Sequence, residues 1–365
     1  MEKISVFDIF KIGIGPSSSH TVGPWRAGGR FLKYFQEDYD LEDIQSIKVE
    51  FFGSLAKTGK GHGTDIAGIM GLTGANVHTF DATKLDDVLE EIRASKKIAL
   101  LGEHEIDFDI DECIILNKVD IRDAHPNTME FTAVLKDGTV VKEPWYSIGG
   151  GFIKRGKGDE SDSEDFKAEI PFPVQKAEDL LYWHESEEKS IADISLINEL
   201  HWRTYDKIRK GLRNIWQVMK ESVYIGCHTD GTLPGGLKVD RRAARINRDL
   251  LNGVSYKNLD EWISLLKKQP RDMDTVTGWV SCFALAVNEV NASFGRVVTA
   301  PTNGAAGVVP AVLMYLYCFH DSIREKDIDE FLMVAGEIGS IFKKGATISA
   351  AAGGCQSPAG RSGCR

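Results

Sequence analysis

The sequence predicts a multidomain protein in which an N-terminal α+β domain is followed by an all-α domain. Within residues 1–155, alternating apolar and polar side chains predict strands, as at Ser46–Phe52, and Lys136–Gly138 is a strong hairpin-turn signal. Residues 156–175 begin with a charged stretch that is nearly free of apolar side chains, which is typical of a solvated linker. From residue 176 to 365 the strand signals fade, and apolar residues at helical spacing predominate.

The first domain is predicted to combine short helices with strands. Periodic segments predict helices at Ser5–Lys11, Trp25–Phe35, Asp65–Leu72 and Thr83–Ala94. Alternating or β-rich segments predict strands at Ser46–Phe52, Lys97–Gly102, Cys113–Asn117, Glu130–Leu135, Thr139–Pro144 and Trp145–Ile153. Polar and glycine-rich stretches predict loops at Gly13–Pro24, Gly53–Asp65 and Ala124–Met129.

The second domain is predicted to consist of helices that are interrupted by glycine-rich loops. The predicted helices are Ser190–Trp202, Tyr205–Tyr224, Val239–Leu251, Leu259–Lys268, Asp274–Val290, Val308–Phe319 and Ile328–Phe342. Among the connections, His228–Gly236 and Asn291–Gly307 are rich in glycine and polar residues. Interruptions of this kind in a buried helical core are expected where a ligand must enter.

Composition excludes several classes of protein. The formal net charge of -10 argues against a nucleic-acid partner, because no basic excess is available to meet phosphates. The longest apolar run, Gly307–Phe319, is too short to span a bilayer, so we expect no membrane partner. The N-terminus lacks the long apolar core of a signal peptide. Six cysteines without regular spacing fit a reducing, cytoplasmic compartment better than a disulfide scaffold.

Common catalytic and nucleotide-binding motifs are not found in the sequence. Gly53–Asp65 superficially suggests a phosphate-binding loop, but five residues, instead of four, separate Gly53 from the Gly59–Lys60 pair, and Gly61 follows the lysine. The sequence contains no Gly-x-Ser-x-Gly hydrolase motif, no Cys-x-x-Cys and no His-Glu-x-x-His. We therefore predict neither a nucleotide site nor a zinc site.

Four polar loops carry the residues that are capable of chemistry: Pro16–Thr21, Thr58–Asp65, Ala124–Asn127 and Pro301–Gly304. The consecutive serines Ser17–Ser19 precede a predicted helix, where backbone N–H groups can cradle an anion. His62 lies between two glycines, so a substrate could approach its imidazole; a solvated histidine in a surface loop is the alternative interpretation.

A run of small residues, Gly345–Gly354, leads into Cys355. Small side chains let backbones approach closely and leave room for a bulky ligand, so Cys355 could bind a metal or a cluster. A buried free cysteine is the alternative, because such cysteines are common in protein cores.

Six long segments occur in a distinctive order: SVFDIFKIGIGPSSSHTVGPWRA, KTGKGHGTD, DAHPNTM, LPGGLKVDRRA, NEVNASFGRVVTAPTNGAAGVVPA and GATISAAAGGCQ. Together they resemble the iron–sulfur-dependent bacterial L-serine dehydratases in their single-chain form, from Met1 to Gln356. The resemblance implies that the first domain is similar to the allosteric substrate-binding domain of some phosphoglycerate dehydrogenases. It also implies that the second is a helical catalytic domain with a [4Fe–4S] cluster.

The resemblance implies an L-serine ammonia-lyase that converts L-serine, through aminoacrylate, to pyruvate and ammonia. His62 is then the leading candidate for the base that removes the Cα proton, and His20 and His125 would line the site. The implied serine-binding residues are Ser17, Ser18, Ser19, Thr21, Thr64, Asn127 and Asn303. The family also implies a homodimer. Whether serine or threonine is preferred stays open, because one methyl group changes binding by only about 1–3 kcal/mol.

The resemblance assigns Cys355 as one ligand of the cluster. In the family, two further cysteine ligands lie in a Cys-Asp-Pro segment and a Pro-Cys segment, and neither segment occurs in this sequence. After Gln356 the sequence departs from the family pattern, and Cys364 lies in neither motif. We therefore expect a truncated chain that alone holds no stable cluster and has little dehydratase activity. The alternative function is an inactive chain that retains serine binding or a regulatory role.

Overall fold

A computed structural model describes residues 3–120, 122–156, 169–234 and 238–345. These residues form two compact units. The α+β unit contains residues 13–156, and the helical unit contains residues 3–12 together with residues 169–345, apart from the gaps just given. The predicted fold class is confirmed, because the N-terminal domain carries the main sheet and the C-terminal domain is mostly helical.

The secondary-structure elements have the following bounds. The helices are α1 (Val6–Ile9), α2 (Gly23–Phe35), α3 (Gly53–Lys57), α4 (Gly59–His62), α5 (Thr64–Leu72), α6 (Leu85–Ser95), α7 (Ile110–Cys113), α8 (Ala177–Glu187), α9 (Ile191–Leu200), α10 (Tyr205–Gly226), α11 (Ala243–Leu250), α12 (Leu259–Leu266), α13 (Met273–Ala292), α14 (Val308–Phe319) and α15 (Glu325–Lys344). The strands are β1 (Ile12–Ile14), β2 (Ile44–Phe51), β3 (Lys97–Leu100), β4 (His104–Asp107), β5 (Ile114–Leu116), β6 (Thr128–Leu135), β7 (Val140–Gly149), β8 (Phe152–Arg155) and β9 (Arg296–Val298).

The α+β unit is built on a five-stranded sheet in the order β5-β2-β6-β7-β8. Strand β2 runs parallel to β5 and antiparallel to β6. Helix α2 packs on the sheet, where the rings of Phe31 and Phe131 stack with their centroids 4.9 Å apart. Helices α2 and α5 touch backbone to backbone, since a Cβ atom on Gly71 would lie 2.3 Å from the carbonyl oxygen of Trp25. At the other end of α5, Oγ1 of Thr64 donates to the carbonyl of His20 at 2.7 Å, so the chain before α2 lies next to the start of α5.

Two of the predicted loops are wrong, because the structure makes them largely helical. Residues 53–65 form α3, α4 and the start of α5, and Ser18–Val22 forms a short π-helical turn within the predicted loop Gly13–Pro24. Glycines lower the intrinsic helix propensity of these segments. Leu55 and Ala56 of α3 are nevertheless fully buried, so tertiary packing outweighs the local preference.

The hairpin predicted around Lys136–Gly138 is confirmed, but its second arm is longer than predicted. The segment Trp145–Ile153 was predicted as a separate strand, and this is wrong. Its first part continues β7 to Gly149, and a turn of glycines with positive φ at positions 149–151 leads into β8. The pattern also missed β4, α8 and β9, which are short or weakly periodic.

The helical unit is organised around α13, which packs against α10, α11 and α14. Trp279, Phe283 and Val287 of this helix are fully buried, as the nearly continuous apolar sequence of residues 274–290 predicted. The other predicted helices of this domain are confirmed, with ends shifted by a few residues. None of the described helices combines the length and the apolar character that crossing a bilayer requires.

The second part of the linker predicted at residues 156–175 packs within the helical unit. Residues 157–168 lie outside the described residues, but Phe172 and Val174 are buried in the helical unit, where they cluster with Leu180 and Ile194. The amide of Phe172 also donates a hydrogen bond to Oδ1 of Asn198, at 3.1 Å. These residues therefore belong to the packed helical unit.

The start of the chain also differs from the predicted domain division, because residues 3–12 pack within the helical unit. Ser5 caps α1, and the amide of Val6 donates to Oε1 of Glu199 at 2.7 Å. Glu199 also accepts from Nη1 of Arg203 at 2.9 Å. Burial raises the pKa of the Glu199 carboxyl. Its two oxygens accept from the backbone of α1 and from the side chain of Arg203, which follows α9. Glu199 therefore ties α1 to α9.

We expect the Glu199→Ala substitution to lower the free energy of unfolding by about 1–3 kcal/mol, because it leaves the buried amide of Val6 without its acceptor and removes one partner of Arg203. The measurement is urea unfolding followed by tryptophan fluorescence. The matched control is Glu187→Ala at the exposed end of α8, which should change the value by about 0.5 kcal/mol or less. Equal losses in both variants would contradict this role of Glu199.

Candidate active site

The candidate site of the α+β unit is centred on His20, whose side chain is completely buried. The imidazole of His20 contacts residues from two other segments. Its Nε2 lies 2.9 Å from Oγ of Ser54 in α3, and its ring centroid lies 5.0 Å from that of His62 in α4. Two of the three predicted catalytic histidines are therefore adjacent.

Hydroxyl groups tie the turn around His20 to the junction of α4 and α5. Ser17 Oγ accepts from the amide of His20 at 3.1 Å, and the amide of Ser17 donates to Thr21 Oγ1 at 3.2 Å. Thr21 Oγ1 donates to the carbonyl of His62 at 2.7 Å, and Thr64 Oγ1 donates to the carbonyl of His20 at 2.7 Å. These hydroxyls link the segments that carry the two imidazoles. Each of them already has a hydrogen-bond partner within the protein.

His20 is held in its neutral form. Burial, followed by the proximity of His62, lowers the pKa of His20 from 6.5 to about 3, and the contact with Ser54 opposes this shift. Both ring nitrogens have hydroxyl partners: Ser19 Oγ lies 2.8 Å from Nδ1 and Ser54 Oγ lies 2.9 Å from Nε2. Because a hydroxyl can donate or accept, either tautomer is satisfied in this environment.

His62 differs from His20 because one of its ring nitrogens is constrained and the other is available. Its Nδ1 lies 2.9 Å from the carbonyl oxygen of Thr58, which can only accept, so Nδ1 carries the hydrogen. In the neutral ring Nε2 then holds the lone pair, and no residue within the described ranges bonds to it. A Cβ atom on Gly61 of the same short helix would meet no described atom within 4 Å, so the space beside Gly61 is open. This geometry suits a general base.

His125, Asn127 and Ser147 form the third part of the site. The amide of Asn127 donates to Nδ1 of His125 at 3.0 Å, and burial lowers the pKa of His125. Asn127 Nδ2 donates to the carbonyl of Ser147 at 3.2 Å, and Ser147 Oγ donates to the carbonyl of Ser19 at 2.7 Å. Through Ser147, this group is joined to the turn that carries His20.

Oδ1 of Asn127 is a buried acceptor without a donor among the described residues. The whole side chain of Asn127 is buried, and an unsatisfied buried acceptor costs about 1–3 kcal/mol. Such a group is compensated when a ligand supplies a donor. Asn127 is thus the predicted binding residue whose environment points most directly to a substrate.

Two glycines allow these segments to approach one another. Gly53 has a φ of +54°, and a Cβ atom there would lie 2.5 Å from the carbonyl oxygen of Pro126. That carbonyl accepts from the amide of Ser54 at 2.8 Å. At Gly23, a Cβ atom would lie 2.2 Å from Oγ of Ser147. A side chain at Gly53 would push the start of α3 away from Pro126, and a side chain at Gly23 would push the start of α2 away from Ser147 of β7.

Ser18 lies in the same turn as His20, and two further predicted site residues are not among the described residues of the α+β unit. Asn303 belongs to the helical unit, where it is buried and its Nδ2 donates to Oδ1 of Asn291 at 2.9 Å. Cys355 lies outside the described residues. The sequence pattern does not indicate Ser54 or Ser147, although Ser54 directly follows Gly53 in the same segment as His62.

The described residues do not make up a ligand set for a metal cluster. No group of three or more His, Cys, Asp or Glu side chains that could hold a metal ion occurs within the described ranges. The cysteines in these ranges, Cys113, Cys227, Cys282 and Cys318, are free thiols.

The low pKa of His20 predicts an acid-sensitive fold. Below about pH 6.5 the unfolded chain takes up a proton that folded His20 takes up only near pH 3, so the free energy of unfolding falls as pH decreases through this window. The contribution is at most about 1.4 kcal/mol per pH unit. In urea unfolding between pH 7.5 and 4.5, His20→Gln should show a shallower pH dependence than the unsubstituted chain, whereas the exposed His78→Gln should not. Identical slopes in all three proteins would refute the prediction.

Comparison with known proteins identifies the family. Residues 5–158 match the family model described as serine dehydratase beta chain, and residues 185–364 match serine dehydratase alpha chain. L-serine dehydratase 2 of Escherichia coli (strain K12) is 40% identical over 98% of this chain and 75% of its own length. L-serine dehydratase of Streptomyces coelicolor is 42% identical over the same shares, and that of Helicobacter pylori is 35% identical over 99% and 76%. The chain therefore belongs to the L-serine dehydratases, a family of enzymes.

Proposed function

We propose that this protein is an L-serine ammonia-lyase, which eliminates water from L-serine to form aminoacrylate, whose hydrolysis yields pyruvate and ammonia. Membership of the L-serine dehydratase family supports the reaction class. The observation that carries the proposal within the structure is the lone pair on Nε2 of His62, beside a buried imidazole that stays neutral. A β-elimination of this kind needs a base for a weakly acidic Cα proton.

In this proposal Nε2 of His62 accepts the Cα proton of serine. The hydrogen bond from Nδ1 to the carbonyl of Thr58 orients the ring and stabilises the imidazolium that forms, because both nitrogens of the charged ring are donors. His20 does not compete for this proton, since burial keeps its pKa near 3. Ser54 positions His20 through Nε2, so we propose a positioning role for Ser54.

Substrate contacts are proposed for a smaller set of residues than the sequence suggested. Oδ1 of Asn127 is the proposed acceptor for the amino group of serine, because it is buried and lacks a donor among the described residues. Ser17, Thr21 and Thr64 have hydroxyls engaged within the protein, which supports a positioning role for them. Ser18, Ser19, His125 and Asn303 remain predicted site residues.

The proposal includes a [4Fe–4S] cluster with Cys355 as one ligand. When bound, such a cluster would supply a Lewis acid for the departing hydroxyl group. The cysteines and other donors of the described ranges do not compose its ligand set, and Cys355 lies outside those ranges. The proton-transfer and binding roles above therefore rest on the polypeptide alone. The free thiols of the described cysteines support a reducing cytoplasmic location, and a homodimer remains a prediction.

A second candidate function is serine binding without turnover. It is favoured by the observation that the histidines, Asn127 and the hydroxyls that position them all belong to the α+β unit. A chain of this kind would act as a sensor or a regulatory protein. Calorimetric binding of serine without pyruvate formation, measured on the same preparation, would favour this candidate over the enzyme.

For the enzyme, we expect His62→Ala to lower kcat by about 10²- to 10⁴-fold, the usual contribution of a general base. Serine affinity, measured by calorimetry, should change little because the substitution removes no proposed substrate-binding group. Pyruvate release reports turnover, and His78→Ala on the exposed surface of the same unit is the matched control. If His62→Ala keeps its turnover, His62 is not the base.

We expect this chain, purified without oxygen, to contain no stoichiometric cluster, because neither of the two further cysteine segments that the resemblance assigns as ligands occurs in its sequence. Iron and sulfide assays with UV–visible spectra are the measurement. About four iron and four sulfide per chain, lost in Cys355→Ser and retained in Cys113→Ser at a half-buried thiol of the α+β unit, would contradict this expectation.

A further inference from the structure

A pocket of about 740 Å³ in the helical unit is lined by four arginines that the proposed reaction does not use. These are Arg241, Arg242, Arg245 and Arg248, and the acidic residues of the lining are Asp230 and Asp240. Four guanidinium groups on one pocket are unexpected in a chain with a formal net charge of -10. The lining of the pocket is therefore positively charged in a protein whose net charge is negative.

The carboxylates of the pocket neutralise only part of this charge. Arg248 forms a two-pronged ion pair with Asp230, with distances of 2.8 and 2.9 Å. Asp240 accepts from Oγ1 of Thr232 at 3.3 Å. Within the described residues, neither Arg242 nor Arg245 has a carboxylate within ion-pair distance. Two positive charges thus remain without an anionic partner there.

The arginines are presented together by the start of α11. The carboxylate of Glu289, itself buried, accepts from the amides of Arg242, at 2.7 Å, and Ala243 and so anchors the beginning of the helix. Because Glu289 is engaged with these backbone amides, the helix start is already capped without an external ligand. Arg245 and Arg248 are three positions apart on α11 and therefore share one face, where like charges repel.

Arg241 is fixed in the same pocket and is partly withdrawn from solvent. Its Nη2 donates to Oγ of Ser293 at 2.6 Å. Burial lowers the pKa of Arg241, and Glu289 only partly opposes this shift. An anion in the pocket would offset both the lost solvation of Arg241 and the repulsion among its neighbours.

We propose that this pocket binds a small organic anion that carries at least two negative charges on phosphate or carboxylate groups. Guanidinium groups match both anions through paired N–H···O bonds. The volume lies within the range of metabolite-sized ligand sites and exceeds what a single inorganic ion fills. The net charge of the chain argues against a nucleic acid as the source of the phosphates.

The test is calorimetric titration of the full chain with pyrophosphate and, separately, with citrate, at an ionic strength held constant with sodium chloride. We expect saturable binding of at least one of them. In the double variant Arg242→Gln and Arg245→Gln, the apparent Kd should increase at least tenfold. The matched control is Arg209→Gln and Arg213→Gln, which removes two charges from α10 whose guanidiniums already pair with Glu325. This control should keep the Kd within twofold.

The two probes distinguish the source of the negative charge. Binding of pyrophosphate alone supports a phosphorylated ligand, binding of citrate alone supports a polycarboxylate, and binding of both supports recognition by charge. Lack of saturable binding by either probe overturns the proposal, as does an unchanged Kd in the double variant. If the double variant does not fold, Arg245→Gln alone serves instead, because this exposed side chain makes no hydrogen bond within the described structure. None of these readouts depends on dehydratase activity.

Discussion

The burial of an uncharged imidazole is the constraint on which the candidate site of the α+β unit depends. His20 has no access to water, so each of its polar atoms must be satisfied by the protein. Ser19 and Ser54 serve the ring, and Ser17 and Thr64 serve the backbone of the same residue. These partners come from the turn before α2, from α3 and from the start of α5. The three segments must therefore keep fixed positions relative to one another. The burial that requires them also removes His20 from the proton chemistry of neutral pH.

The contrast between two adjacent histidines follows from one difference in their partners. Hydroxyls meet both nitrogens of His20, whereas a carbonyl meets Nδ1 of His62 and leaves Nε2 with its lone pair. With the rings 5.0 Å apart, a charge on one disfavours a charge on the other. The site therefore keeps one imidazole neutral as a structural element and leaves Nε2 of the other available, as the proposed base requires.

The helical unit uses buried carboxylates to hold helix starts. Glu199 accepts from the amide of Val6 at the beginning of α1, and Glu289 accepts from the amides that precede and open α11. Helix N-termini have unsatisfied N–H groups and a partial positive charge, so a carboxylate is a suitable partner. In both cases the glutamate is contributed by another helix. Because Glu289 is bonded to the backbone at the start of α11, it does not pair with the arginine side chains there, and the pocket that they line has few acidic residues.

The local sequence predicts the helices and strands whose apolar pattern is regular. It also shows which residues are capable of chemistry. The hairpin around Lys136–Gly138 and the buried helix at residues 274–290 were predicted from turn chemistry and apolar pattern, and His20, His62 and Asn127 were recognised as candidates. Tertiary structure alone decided which groups they meet. Ser54 reaches His20 across 34 positions and Ser147 reaches Ser19 across 128, and no local pattern encodes contacts over such separations. The helical form of residues 53–65, the neutral state of His20 and the unsatisfied oxygen of Asn127 all follow from that packing, because burial and partner choice exist only in the folded chain.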